Sequence, residues 1–323
     1  MTALPAALGV VLMALPHMVR RGCWSPSTSL LLWVVALGVR AGGCLLVALW
    51  LMIRLPSTTV FTAVTDWCVD TAVPVLAAHV GVLGPEVGDA LSLLPFVALN
   101  LSALWGAVRV ARGAREVRQM VSQSTVGVGP RGAVILGGRE VMLGAAGFLR
   151  PRVVVSAGAL VALDDAELAA AIAHERAHIR RGHRFIAAFA ELCGTIARPV
   201  PGTRAIVAEV HKQIERDADA WAVRRDHDRV ALASAICKSA LSRAGGPALA
   251  LLSGAGVAQR VEELLGGGPV RASVGEKLLL AVAIVGASGF LVAAVGWILV
   301  TLASGSAGDP GGALRHVCPP CGL

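Results

Sequence analysis

From Leu278 to Ala303 the chain carries no charged residue. About 20 apolar residues in a helix span the hydrocarbon core of a bilayer, so this run is read as a transmembrane helix. Three further runs have similar character: Ala3–Val19, Ser29–Ile53 and Leu91–Val110. Only 15% of the 323 residues are charged and 55% are hydrophobic, whereas soluble domains carry roughly a quarter charged residues. The expectation is a mainly α, polytopic membrane protein with about four spans. A signal peptide is a poorer reading of Ala3–Val19, because Arg20 and Arg21 follow the apolar run rather than precede it.

Charge placement gives an orientation. Residues 55–90 contain no Lys or Arg but do contain Asp66, Asp70, Glu86 and Asp89, whereas Arg109, Arg112, Arg115 and Arg118 follow the third run. Basic residues mark the cytoplasmic side. The predicted order is a membrane region at 1–110 with spans at 3–19, 29–53 and 91–110 and an external loop 55–90. A cytoplasmic segment 111–277 follows, then a span at 278–303 and an external tail 304–323. Thr71–Leu83 is apolar but short for a crossing. Arg40 stands near the middle of the second span, where a charge costs about 3 kcal/mol on insertion scales. It should face other helices or a wet cavity, or else reach a surface by a shift of the helix in depth.

The net charge of +8 is carried mostly by Arg, with Lys only at 212, 238 and 277. Membrane orientation accounts for it, and direct nucleic-acid binding is not expected: no basic-aromatic motif is present and Tyr is absent. The seven cysteines form no disulfide framework. Cys318 and Cys321 alone pair closely, in a tail expected outside, where a disulfide can persist. A redox role built on them is a weak reading, because no thioredoxin-like pattern surrounds them.

Within 111–277, "AVILGG" and "PRVVVS" read as short strands beside Gly and Pro. Asp164 and Glu167 form a capping-box pattern before a helix. Further helices are expected at about Arg184–Arg198, Thr203–Arg224 and Val230–Arg243. The first helix carries His174-Glu175-Arg176-Ala177-His178. Four residues are one turn plus about 40°, so His174 and His178 share a face and suit a tetrahedral Zn²⁺. Glu175 lies about 100° round the helix, placed to act on a water as general base rather than as a ligand. His183 falls about 180° from His174 on a continuous helix. It is therefore expected not to be a ligand but a surface or interface histidine among Arg180, Arg181 and Arg184.

The third ligand must come from elsewhere. In "HKQIERDADAW" Glu215 and Asp219 are four apart and share a face. Glu215 is assigned to the metal and Asp219 to orienting a histidine, most simply His174. His211 is the alternative ligand, and Asp217 points away and is expected to be solvated. With no Tyr available, His211, His227, Arg224 or a backbone N–H would stabilise the oxyanion of peptide hydrolysis.

These residues carry a resemblance. "IAHERAHIRRGH" followed by "ERDADAW" resembles the M56 membrane-embedded metallopeptidases of the BlaR1/MecR1 type, and the related M48 family. "GFLRPRVVVSAGALVAL" resembles the strand and turn before their zinc helix. The resemblance implies a small α+β gluzincin-type zinc peptidase domain between spans three and four. Its ligands would be His174, His178 and Glu215, with Glu175 catalytic and Asp219 behind a ligand. It implies a bacterial cell membrane, a protein or peptide substrate such as a transcriptional repressor, and contact with membrane lipid. The penicillin-binding domain that follows the last span in the sensor members is not expected here, since about twenty residues follow Ala303. Two alternatives remain: an M48-like quality-control peptidase of the membrane, and a signalling scaffold with a structural zinc site, which a fourth ligand such as His211 would favour.

Overall fold

The computed structural model describes residues 24–54, 63, 86–225, 227–243, 247–267 and 272–306. They are mainly helical. Two long helices lead in: α1, Pro26–Arg54, and α2, Glu86–Ser124. A four-stranded sheet follows, β1 Thr125–Val128, β2 Val134–Leu136, β3 Leu143–Ala146 and β4 Arg152–Ser156. Its order is β1-β2-β4-β3, with β2 and β4 parallel and the two outer pairings antiparallel. Helices α3 Ala157–Ala162, α4 Asp165–Arg180, α5 His183–Ile196, α6 Thr203–Val223, α7 Arg229–Arg243, α8 Pro247–Leu265 and α9 Val274–Ser306 complete the chain.

The strands β2 and β4 fall where the β-branched runs predict them. Strands β1 ("TVGV") and β3 ("LGAA") were not expected from the sequence. Gly and Ala have little strand preference, and cross-strand pairing with β2 and β4 supplies what propensity does not. Helix α8 is a further element beyond those expected.

Helix α4 begins on the predicted capping box. Asp164 Oδ1 accepts the Glu167 N–H at 2.8 Å, and Glu167 Oε2 accepts the Asp164 N–H at 2.9 Å. Buried Glu167 also takes Ser234 Oγ and Lys238 Nζ of α7, each at 2.6 Å. The cap therefore fixes both the start of α4 and its docking on α7. The helix stops at Gly182, whose φ of 67° is left-handed, a conformation without steric penalty only for glycine. A new helix starts at His183.

Two described helices, α1 and α9, are long and apolar enough to cross a membrane. They contain the predicted spans 29–53 and 278–303. They run side by side in the same direction: the Ser25 N–H donates to Glu276 Oε2 at 2.9 Å at one end, and Trp50 stacks on Trp297 at 6.2 Å towards the other. The predicted third span lies inside the longer α2, which begins within the expected loop and continues past Val110. The run 3–19, most of the loop 55–90 including Thr71–Leu83, and the Cys318–Cys321 pair lie outside the described residues.

Helix α1 also serves the domain core. Leu30, Leu37 and Ala41 pack with Ala190, Cys193 and Ile196 of α5 and Ile206, Val210 and Ile214 of α6. Arg40 faces protein: its Nη1 donates to the Pro201 carbonyl at 2.9 Å, in the turn before α6. The second core lies between the sheet and α4, where Val153 and Val155 meet Ala171 and Ile172. The third joins α4 to α7 and α8. Together these cores clamp α4 and α6 against each other, which positions the site.

Candidate metal centre

Three donor atoms converge between α4 and α6. His174 Nε2 lies 3.1 Å from His178 Nε2 and 3.5 Å from Glu215 Oε2, and His178 Nε2 lies 3.6 Å from Glu215 Oε1. A tetrahedral ion with bonds of about 2.0–2.1 Å holds its donors about 3.3 Å apart. The triangle therefore has the dimensions of one face of such a site, and two imidazoles with a carboxylate are the chemistry zinc takes. Among the described residues these three are the group able to hold a metal. The i, i+4 spacing on α4 supplies the first two, and α6, held by its apolar stripe Ile206, Val210 and Ile214, supplies the third.

The site sits in a cleft of about 520 Å³. Glu175 lines it beside His174 and His178. The edge strand β3 contributes Leu143, Gly144 and Ala145 to one wall, and Ile214 and Leu232 line it from the helices.

Each ligand-type histidine is held from behind. His174 Nδ1 is 2.8 Å from Asp219 Oδ1. Asp219 is in turn gripped by Arg260 of α8, whose Nε and Nη2 donate to its two oxygens at 2.8 Å each. Arg260 Nη1 also reaches Glu215 Oε2 at 2.9 Å. One guanidinium thus ties the converging carboxylate to the carboxylate that holds His174. Arg260 is a part of the site that no motif in the sequence marks. Its signal is faint: one basic residue in the apolar-periodic "VAQRVEELL" of α8.

His183 and Asp217 depart from expectation. His183 is buried, 2% exposed, and Asp217 is 0% exposed. His183 is neither a surface nor an interface histidine, and Asp217 is not solvated. The reason is the break at Gly182. Because α4 ends there, the 180° argument for a continuous helix does not apply, and the chain turns His183 back alongside His178. His183 Nδ1 lies 3.1 Å from His178 Nδ1, and His183 Nε2 lies 3.0 Å from Asp217 Oδ2. Arg181 also pairs with Asp217. Asp217 thus points inward, behind the second histidine, while His183 stays outside the converging group.

His211 lines the cleft, but its Nε2 is 3.1 Å from Glu191 Oε1 and it does not join the three donors. His227 stands in the link before α7 and does not line the cleft.

The electrostatics follow the geometry. Burial works against a charge on His174, yet Asp219 and Glu215 raise its pKa above the ordinary histidine value. Burial and the neighbouring His174 push His178 down. Burial would raise Glu215 and Asp219, but His174 and Arg260 hold both below the usual carboxylate range.

Residues 142–273 match the family model of peptidase family M48. The stretch runs from the start of β3 to the approach to α9 and contains every residue of the site just described. This relation supports a metallopeptidase-type function acting on a protein or peptide. No curated protein and no solved structure matches the chain.

Proposed function

We propose that this chain is a membrane-bound zinc metalloendopeptidase, with His174, His178 and Glu215 holding the metal and Glu175 as general base and acid. The observation that carries the reading is the open triangle. Three donors converge on one point in a cleft, and the fourth direction is left to the cleft. A structural zinc site closes with four protein ligands, whereas a catalytic one keeps a position open. His211, the residue best placed to close the site, is engaged by Glu191 instead.

Bound there, zinc supplies Lewis acidity to a water and to the scissile carbonyl. The chain's own residues do the rest. Glu175 takes the proton of the attacking water and delivers it to the amine nitrogen as the C–N bond breaks. Asp219 and Asp217, the latter through His183, keep the imidazoles turned to the metal. Arg260 keeps Glu215 ionised and aimed. Among the described residues strand β3 pairs with β4 alone, so its other edge, along the cleft, offers main-chain hydrogen bonds to an extended substrate. His211, which lines the cleft, is one candidate to meet the developing oxyanion once released from Glu191, beside Arg224 or a backbone N–H.

The finer reading is an M56-type enzyme of the bacterial cell membrane, multi-pass, with its domain on the cytoplasmic side and a regulatory protein such as a repressor as substrate. The parallel course of α1 and α9 supports it: both leave the domain side in the same direction, as a chain with spans at 29–53 and 278–303 requires. The family match favours a second reading, an M48-like quality-control peptidase of the membrane.

The test is Glu175→Gln in membranes. Metal content should stay at the wild-type level while cleavage falls by about 10²–10⁴-fold, the range of general acid–base catalysis. Unchanged cleavage would sink the general-base role. The protein that accumulates in the variant separates the regulatory reading from the quality-control one.

A further inference from the structure

A second cavity, of about 1120 Å³, lies on the face of the sheet turned away from α4. The C-terminal half of α2 forms one wall, strands β1 and β4 the floor, and the β3–β4 turn and α5 the other side. Its lining is apolar and much of it open to solvent: Val126 is 74% exposed, Val128 81%, Leu149 82% and Phe189 42%. Apolar surface of this extent, rimmed by charge, marks a binding site.

The charge at its rim is of one sign. Arg115 and Arg118 enter from α2, Arg150 and Arg152 from the opposite side, and among the described residues no acidic one lines the cavity. None of the four arginines is engaged by a carboxylate among the described residues. Polarity also changes along the cavity in a definite order. On α2 the lining runs from Ala107, Val110, Ala111 and Ala114 to Arg115 and Arg118, with Val121 beyond them. An apolar part therefore adjoins the apolar run Leu91–Val110, and the cationic stretch lies one to two turns beyond it. A ligand matching this surface has a hydrocarbon part beside the membrane-type segment and an anionic group next to it, further from that segment.

We propose that this cavity binds an anionic phospholipid, with an acyl chain over Val110, Ala114 and Phe189 and the phosphate among Arg115, Arg118, Arg150 and Arg152. The inference rests on the reading of the chain as membrane-bound and is independent of its peptidase activity. The β3–β4 turn gives the site a link to the catalytic cleft. Gly147, at φ 100°, lines both cavities, and a side chain there would collide with the Arg150 carbonyl. A lipid seated under this turn braces one wall of the cleft.

The test uses the full chain in mild detergent, with phosphatidylglycerol or phosphatidylcholine added and retained lipid measured by native mass spectrometry. Phosphatidylglycerol should be retained in preference to phosphatidylcholine. Replacing all four arginines by glutamine should abolish the preference, at about fivefold in affinity per arginine. Replacing them by lysine should keep most of it. A photoreactive residue in place of Leu149 should crosslink to lipid. Equal retention of the two lipids, an unchanged glutamine variant, or a crosslink to a peptide of this chain such as residues 1–23 would each overturn the site. Recovery of the chain in membranes together with any of these leaves the anchoring standing. Recovery in the soluble fraction overturns the anchoring and the lipid site with it.

Discussion

The two histidines of α4 point at the same spot but are held there differently. His174 is backed directly by a carboxylate, Asp219, which Arg260 grips with two donors. His178 is backed by another imidazole, His183, and only through it by Asp217 and Arg181. Were His178 Nε2 to hold a metal, its Nδ1–H would donate to His183 Nδ1, and His183 Nε2–H would donate to Asp217. The two arms teach that a carboxylate need not touch a ligand to orient it, provided the intervening group is buried and its tautomer is forced. They also differ in reach. The His174 arm is tied to α8 and to Glu215, whereas the His178 arm is tied to the α4–α5 turn.

Breaking the arms separately tests the comparison. The largest effect is expected from Arg260→Ala, which leaves Asp219 and Glu215 without their cation. Removing one partner of a buried pair costs about 3–5 kcal/mol. Chemical unfolding should show that loss, and metal should be lost with it. A variant with wild-type stability and metal content would show that the His174 arm stands without Arg260.

Next comes the relay. His183→Ala should weaken zinc binding by about 10–100-fold, the usual effect of removing a group that orients a ligand. Competition with a chelator reads this without any assay of cleavage. Asp219→Asn should do the same through the other arm. If His183→Ala leaves affinity unchanged while Asp219→Asn lowers it, the relay is packing and only the direct arm orients.

Acid should act on both arms. Asp219 and Glu215 favour a proton on His174, and a metal binding through that residue would compete with it. Apparent zinc affinity should therefore fall by about tenfold per pH unit on acidification, one proton being released per metal bound. A flat profile near neutrality would show that His174 is already neutral in the free site.

The smallest effect concerns Asp217. Burial opposes its charge, but His183 and Arg181 hold its pKa below the usual carboxylate range. A depressed folded value adds stability above the unfolded value, roughly 3.9, and that stability is lost as pH falls through the folded one. Asp217→Asn should flatten the loss of stability below about pH 4. An unchanged acid limb in urea unfolding would place the dependence elsewhere.

What could be read beforehand follows distance along the chain. Spacing on one helix places His174, Glu175 and His178, and spacing on another places Glu215 and Asp219 together. The capping box of α4 is equally local, two side chains closing on backbone three residues away. The cleft wall was harder: β3 is a run of Gly and Ala that becomes a strand because β4 lies beside it. A glycine that can end a helix does not say where the next residue turns, and the packing of α5 turns His183 inward. Asp217 points inward because His183 and Arg181 meet it there. Arg260 lies 41 residues beyond Asp219, on a helix that no local signal announced strongly.

The sequence by itself determined the short-range geometry and the long apolar runs, since helical periodicity and the cost of exposing apolar surface act within a segment. The tertiary structure alone decided which group stands behind His178, that Arg260 joins two carboxylates, and that α1 shares a core with α5 and α6. Those outcomes depend on contacts between segments far apart in the chain. A buried charge takes whichever partner the packing brings within reach, and the packing is fixed by the whole fold rather than by its neighbours in sequence.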